Sequence, residues 1–381
     1  MKRNRRRVLS GLAAAMSMGL TTMLAGCGNF FVCEKASCPV APTPGNTGDY
    51  AYVSNSTAGQ TFINGYVLSA GTLAPMTTPT FNLGFVPTAL AVSKQDTFLY
   101  AASGSSGVFV YAIGTGGVLT VPSNSTPVAN GFVDAMDISP DGNNLFTVDS
   151  TGTNLTQYSI NISTGVLTLV STFQLPLNGV VGNTCTVALP CGVKVSPSGL
   201  YVAVALGQSG DAIYQLNGSI VNPSPIPIPL PTGVGDFAVT MDSTDHAYFA
   251  RTAGVAVFSL VGGTATSVAG SPFAAAAGPR SIVLDSSGKY VYDANFSGAT
   301  LSSFTTVSGV LTPFSPATVA APTNVSSLAV DNSGKYLVAV GYNTTGGLQL
   351  YSVGSTGVLT SLATAGTGAT LGVPAVIAVT H

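Results

Sequence analysis

The sequence predicts an all-β protein, a seven-bladed β-propeller of four-stranded antiparallel blades, its ring closed by N-terminal strands plus a C-terminal strand. Three observations predict it. Charged residues make up 7% of the chain and hydrophobic residues 46%, with 45 Gly and 23 Pro, a composition of short apolar strands joined by tight turns. A Gly followed by a short apolar or Thr-rich run returns with a period of about 46 residues, inside the range of propeller blades. The two ends of the repeat region are complementary pieces of one blade.

The Gly mark occurs at Gly71, Gly117, Gly165, Gly218, Gly263, Gly309 and Gly357, and each opens an outermost strand. A second mark recurs independently, in the turns Ser93-Lys-Gln-Asp96, Ser139-Pro-Asp-Gly142, Ser196-Pro-Ser-Gly199, Asp242-Ser-Thr-Asp245, Asp285-Ser-Ser-Gly288 and Asp331-Asn-Ser-Gly334. Ser and Asp bond back to the turn backbone and Gly accepts positive φ, so each turn joins an innermost strand to a second one. A third strand ends before the Gly mark. Residues 50–55 match a second strand, and residues 375–379 match a first strand with no turn after it. Joining them closes the ring at seven blades and leaves no long unpaired edge.

Leu90, Met136, Val193, Val239, Ile282, Leu328 and Ile377 take one equivalent place in the first strands, mostly beside small residues, as interlocking blades require. Asp137 and Lys194 hold equivalent places in adjacent blades and are read as either an inter-blade ion pair or two separately solvated charges. Tyr100, Tyr111, Tyr158, Tyr214, Tyr290, Tyr292 and Tyr351 recur at strand positions, which favours blade packing over an exposed stacking platform.

Residues 1–26 read as a signal peptide, with a basic stretch containing Lys2, Arg3, Arg5, Arg6 and Arg7 and an apolar run from Val8 to Leu24. Leu24-Ala25-Gly26-Cys27 resembles the lipobox of bacterial lipoproteins, and the resemblance implies lipidation of Cys27 and export to the periplasm, outer membrane or cell surface. Arg5-Arg6-Arg7 also resembles a twin-arginine signal, so the export route stays open. Residues 27–48, rich in Pro, Gly, Thr and Asn, read as a tether, and residues 49–381 as the propeller.

The leader takes five of the 12 basic residues, so the rest carries 7 − 14 = −7. That balance argues against nucleic acid or anionic lipid as a partner; a monomer, held at the membrane by its N-terminal lipid, is expected. In an oxidising compartment the other four cysteines read as two local disulfides, Cys33–Cys38 and Cys185–Cys191; the spacing suits zinc poorly. No metal or cofactor is expected.

The proline-led first strand (Pro87, Pro279, Pro374), the Ser-Pro-Asp-Gly or Asp-x-x-Gly turn, the Tyr-ended third strand and the Gly-x-Leu-Thr fourth strand resemble the lactonase-type seven-bladed propellers, whose named members are 6-phosphogluconolactonases. The resemblance spans residues 50–381 and implies a ligand face built from the loops that enter first strands and those that join second to third strands. The entrance positions are Thr88, Asp134, Cys191, Phe237, Arg280, Ser326 and Ala375, and the other loops add Asp149, Asp211, Arg251, Asp293 and Asn295. A lactonase needs a base to activate water and a cation for the oxyanion. Asp134, Asp149 or Asp293 are the candidate bases, with Arg280 or Arg251 as the electrophilic partner; solvated loop charges are the competing reading. Both histidines, His246 and His381, read as surface residues. Past the leader the chain has two arginines, too few for a dedicated phosphosugar clamp. Two functions stay open, a binding or scaffold module of the cell envelope for a small carbohydrate-like ligand or an envelope protein, and an exported hydrolase of lactones or related cyclic esters.

Overall fold

The computed structural model describes residues 49–57, 60–121, 127–176, 191–228, 230–252, 254–341, 347–365 and 375–381. The leader, the tether, Cys27, Cys33, Cys38, Pro374 and Cys185 lie outside the described residues. Cys191 is buried and disulfide-bonded.

Seven antiparallel sheets follow one another along the chain. The innermost strands of blades 1 to 6 are Pro87–Val92, Val133–Ile138, Gly192–Val195, Asp236–Met241, Pro279–Leu284 and Val325–Val330. Their second strands are Phe98–Ser103, Asn144–Asp149, Tyr201–Ala205, His246–Arg251, Tyr290–Asn295 and Tyr336–Gly341. Third strands such as Asp211–Asn217, Gly254–Val261 and Thr300–Val307, then fourth strands such as Leu167–Gln174 and Val310–Ala320, complete each blade outward. In blade 3 the third strand pairs with two short segments, Ile220–Val221 and Ile226–Ile228.

Blade 7 is shared between the two ends. Ile377–Val379 pairs with Asp49–Thr57, in the register Ala51↔Val379 and Val53↔Ile377, and Gln60–Ser69 and Thr72–Leu83 follow outward. Each innermost strand contacts the next, from blade 1 round to blade 7 and back to blade 1. The predicted closure is the one observed.

The predicted turn chemistry is observed as well. Ser139 and Ser196 Oγ accept the N–H of Asn144 (2.9 Å) and Tyr201 (3.0 Å), and Asp285 Oδ1 accepts that of Tyr290 (2.8 Å), each pinning the start of a second strand. His246 departs from its expected surface place. The turn before it is one residue shorter, since Asp242 N bonds to His246 O whereas Asp285 N bonds to Tyr290 O. His246 therefore occupies the place of Tyr290 and is buried, with Nδ1 3.0 Å from Asp242 Oδ2.

In several blades the Gly mark is a blade-to-blade socket. Its φ is +77° at Gly117, +72° at Gly165 and +82° at Gly357, the region that costs other residues about 1–2 kcal/mol. A Cβ on these three would lie 2.6, 2.9 and 2.3 Å from the rings of Tyr50, Phe98 and Tyr290 of the preceding blade. Two residues further along the same strands, Tyr52, Tyr100 and Tyr292 donate to the carbonyls of Gly117 (2.8 Å), Gly165 (3.0 Å) and Gly357 (2.7 Å). A buried phenol would otherwise be left without a partner, so these bonds both satisfy it and fix each blade's rotation against the next. The tyrosines are thus packing groups, as their repetition predicts. Asp137 and Lys194 form the inter-blade ion pair, at 3.1 Å.

Candidate functional site

Each innermost strand starts at one face of the ring, where second strands end and third strands begin; this face is the mouth. Entrance pairing slips at a β-bulge in five blades, leaving Thr88, Asp134, Phe237, Arg280 and Ser326 outside the regular register. A bulge re-aims its side chain, which is why such positions recur beside active sites. These are five of the seven entrance positions expected from the sequence.

Three of the five side chains are spent on the ring. Thr88 Oγ1 donates to Val133 O (2.6 Å), Asp134 Oδ2 accepts from Cys191 N (2.9 Å), and Ser326 Oγ donates to Ala375 O (2.6 Å). Each bond reaches the entrance of the following blade. Asp134 keeps a second function within reach, because its Oδ1 has no protein partner and is not among the sealed polar atoms. Burial pushes Asp134 up to about 6, against the Cys191 N–H, which favours the ionised form.

Arg280 is built differently. Its guanidinium carbon lies 5.3 Å from the centre of the Phe237 ring in blade 4 and 4.9 Å from that of Phe296 in its own blade. Nη1 donates to Pro279 O at 3.3 Å, and the residue is half-buried. Two aromatic faces hold the cation by about 0.5–2 kcal/mol each and fix its plane.

Arg251 is committed elsewhere. Its Nε and Nη2 donate to the two carboxyl oxygens of Asp236 at 2.9 and 2.7 Å, a fork-to-fork pair in which Asp236 is fully buried. Asp211 of blade 3 lies beside this pair, fully buried, with neither oxygen in a well-formed hydrogen bond. Burial, then the charge of Asp236, raise its pKa well above the ordinary carboxylate value, with Arg251 opposing. Asp236 escapes sequence reasoning because Pro87, Val133, Pro279 and Val325 stand in its place in other blades. The available signal was the cross-strand register, which sets position 236 opposite Arg251.

Asp293 sits away from the channel. It shares a strand face with Val291 and, across strands, with Ile282, both in the core between blades 4 and 5. Both its oxygens are sealed from solvent without a partner, and burial pushes it up to about 8, so it is a neutral acid at pH 7. Asn295 on the same face donates to Ser302 Oγ at 3.0 Å. Burial also raises Asp149, but hydrogen bonds from Thr153, Asn154 and Thr151 outweigh it and hold that carboxyl below the usual range as a loop cap.

Of the four residues expected to form one constellation, two remain at the mouth and two leave it. Asp134 and Arg280 stand at the entrances of blades 2 and 5, Arg251 serves Asp236, and Asp293 belongs to a blade interface. Among the described residues no three His, Cys, Asp or Glu side chains gather as a metal site would need.

Residues 45–182 match the lactonase family of seven-bladed β-propellers. A candidate 6-phosphogluconolactonase of Bacteroides fragilis superimposes with a TM-score of 0.69 at 18% identity, covering 90% of this chain and 100% of that one. A periplasmic gluconolactonase of Pseudomonas aeruginosa gives 0.66 at 15% identity, covering 87% and 99%. The hydrazine synthase of Kuenenia stuttgartiensis gives 0.54 at 15% identity, covering 80% and 93%. At these identities the likeness is one of fold. No curated protein matches the chain in sequence.

Proposed function

We propose that this lactonase-type seven-bladed β-propeller is a lipid-anchored hydrolase of small sugar-derived lactones that carry no phosphate. The observation that carries the proposal is the place of Arg280 at the entrance of blade 5, stacked between the rings of Phe237 and Phe296. One cation suffices for the carbonyl oxygen of a neutral lactone. A phosphorylated lactone would need a second.

In the reaction proposed, a lactone lies across the mouth with its carbonyl oxygen toward Arg280. Asp134, ionised above about pH 6, takes a proton from water as the water oxygen attacks the carbonyl carbon. Arg280 stabilises the oxyanion so formed. Collapse breaks the ring C–O bond, and the departing alkoxide recovers the proton from Asp134, giving a hydroxy acid. The family match and the gluconolactonase fold support this reading over the binding or scaffold role that the sequence alone put forward.

The test is acid release by the purified chain, freed of its leader, from a panel of aldonolactones and their 6-phosphates. Expected is turnover with kcat/KM at least tenfold higher for the unphosphorylated members. Absence of turnover above the buffer rate, or a preference for the phosphates, overturns the proposal.

A further inference from the structure

The mouth carries a phenyl ring that the fold does not use. Phe132 is 55% exposed and is the only exposed Phe or Tyr among the described residues; the other large apolar side chains at the surface are aliphatic. It stands just before the first paired residue of an innermost strand, a place set in blades 2, 4 and 5 by the pairs Val133↔Asp149, Asp236↔Arg251 and Pro279↔Asn295. In each of these blades the carbonyl at that place accepts the N–H that opens the second-to-third loop: Phe132 from Ser150 (3.1 Å), Gly235 from Thr252 (2.9 Å) and Gly278 from Phe296 (2.8 Å). Blades 1 and 6 carry Val86 and Asn324 there. The repeat therefore needs no aromatic side chain at this place.

A single exposed apolar residue calls for no explanation by itself. What singles out Phe132 is its neighbour. Asp134 follows two residues later, so the two Cα atoms are at most about 7 Å apart. Asp134 Oδ2 accepts the N–H of Cys191, and Oδ1 stays open. The backbone that carries the ring is fixed on its outer side as well. Asp149 caps the loop through Thr151, Thr153 and Asn154, and Ser150 of that loop holds the Phe132 carbonyl. An aromatic side chain with two torsions offers a rigid face at low entropic cost. The axial C–H bonds of a pyranose ring carry small positive charges that meet the negative face of a phenyl ring, while the hydroxyls at its edge stay free to reach water or polar groups.

We propose that Phe132 is the platform on which a six-membered aldonolactone stacks, one face on the phenyl ring and its edge at Asp134. The role given to the bound ring rests on the hydrolase reading; the stacking itself does not.

The chain contains no Trp, so Phe132→Trp installs a lone indole at the site. Titration with anhydroglucitol, a pyranose with no carbonyl to hydrolyse, is expected to change its emission saturably, and titration with sorbitol, the open-chain polyol, is not. A silent indole, or the same change with sorbitol, overturns the platform. In turnover of δ-gluconolactone, Phe132→Leu is expected to raise KM at least tenfold with kcat kept within threefold, and Phe132→Tyr to keep both, because stacking serves ground and transition states alike. An unchanged KM in Phe132→Leu overturns the proposal. If the unaltered chain turns over no lactone, the hydrolase reading fails alone, and the emission titration still decides the platform.

Discussion

Replacing Asp293 by Asn is expected to remove a distinct part of the protein's loss of stability between pH 4 and pH 8, beside the parts that Asp134 and Asp211 contribute. The folded protein holds this carboxyl neutral up to about 8, whereas an unfolded chain ionises it near its ordinary value of 3.8. Below 3.8 both states are protonated and the group contributes no pH dependence. Between the two values only the unfolded state releases its proton, so folding loses about 1.4 kcal/mol per pH unit. From 3.8 to pH 7 the loss is about 4 kcal/mol, and above about 8 it stops growing because the folded state ionises too. The amide has nearly the same shape and no titration; whatever fixed cost it brings shifts the curve without tilting it. The assay is urea unfolding of both proteins at half-unit pH steps. A difference in unfolding free energy that grows with pH by about 1.4 kcal/mol per unit supports the burial of a neutral acid between blades 4 and 5. Parallel curves would refute it and would return Asp293 to the list of ionised candidates for the base.

Gly357→Ala sets a Cβ 2.3 Å from the Tyr290 ring at a φ of +82°, whereas Gly199→Ala meets the same backbone penalty, at φ +71°, with nothing within 4 Å. The first is expected to cost about 2–4 kcal/mol and the second about 1 kcal/mol in urea unfolding, and equal costs would discard the blade socket. Asp134→Asn is expected to lower kcat/KM for a lactone by about 10²-fold or more and to remove the acid limb of the pH profile near 6; an unchanged limb excludes Asp134 as the base.

The repeat made most of the fold legible. Gly117, Gly165 and Gly357 announce themselves because a left-handed turn under a neighbour's aromatic ring admits little else, and Ser139 or Asp285 because a turn needs an acceptor there. The entrance positions were legible for the same reason, while the β-bulges that set Thr88, Asp134, Phe237, Arg280 and Ser326 off the register in five blades were not. The site was less legible, because partnership is decided across blades and across strands. Nothing near Arg251 in sequence says that Asp236 neutralises it, fifteen residues away. Asp293 looks like a mouth residue from its loop, yet the two-residue period of its strand turns it into a blade interface with Ile282 and Val291. His246 moved because its turn is one residue shorter than the pattern it otherwise follows.

The central claim is that Arg280, held between Phe237 and Phe296, stabilises the oxyanion at the mouth. The most direct measurement is kcat/KM of Arg280→Ala relative to the unaltered protein, on the aldonolactone turned over fastest, at pH 7 and with folding checked by urea unfolding. A loss of about 10²–10³-fold, with the unfolding midpoint nearly kept, is the predicted result. An unchanged kcat/KM in the folded variant would contradict the account.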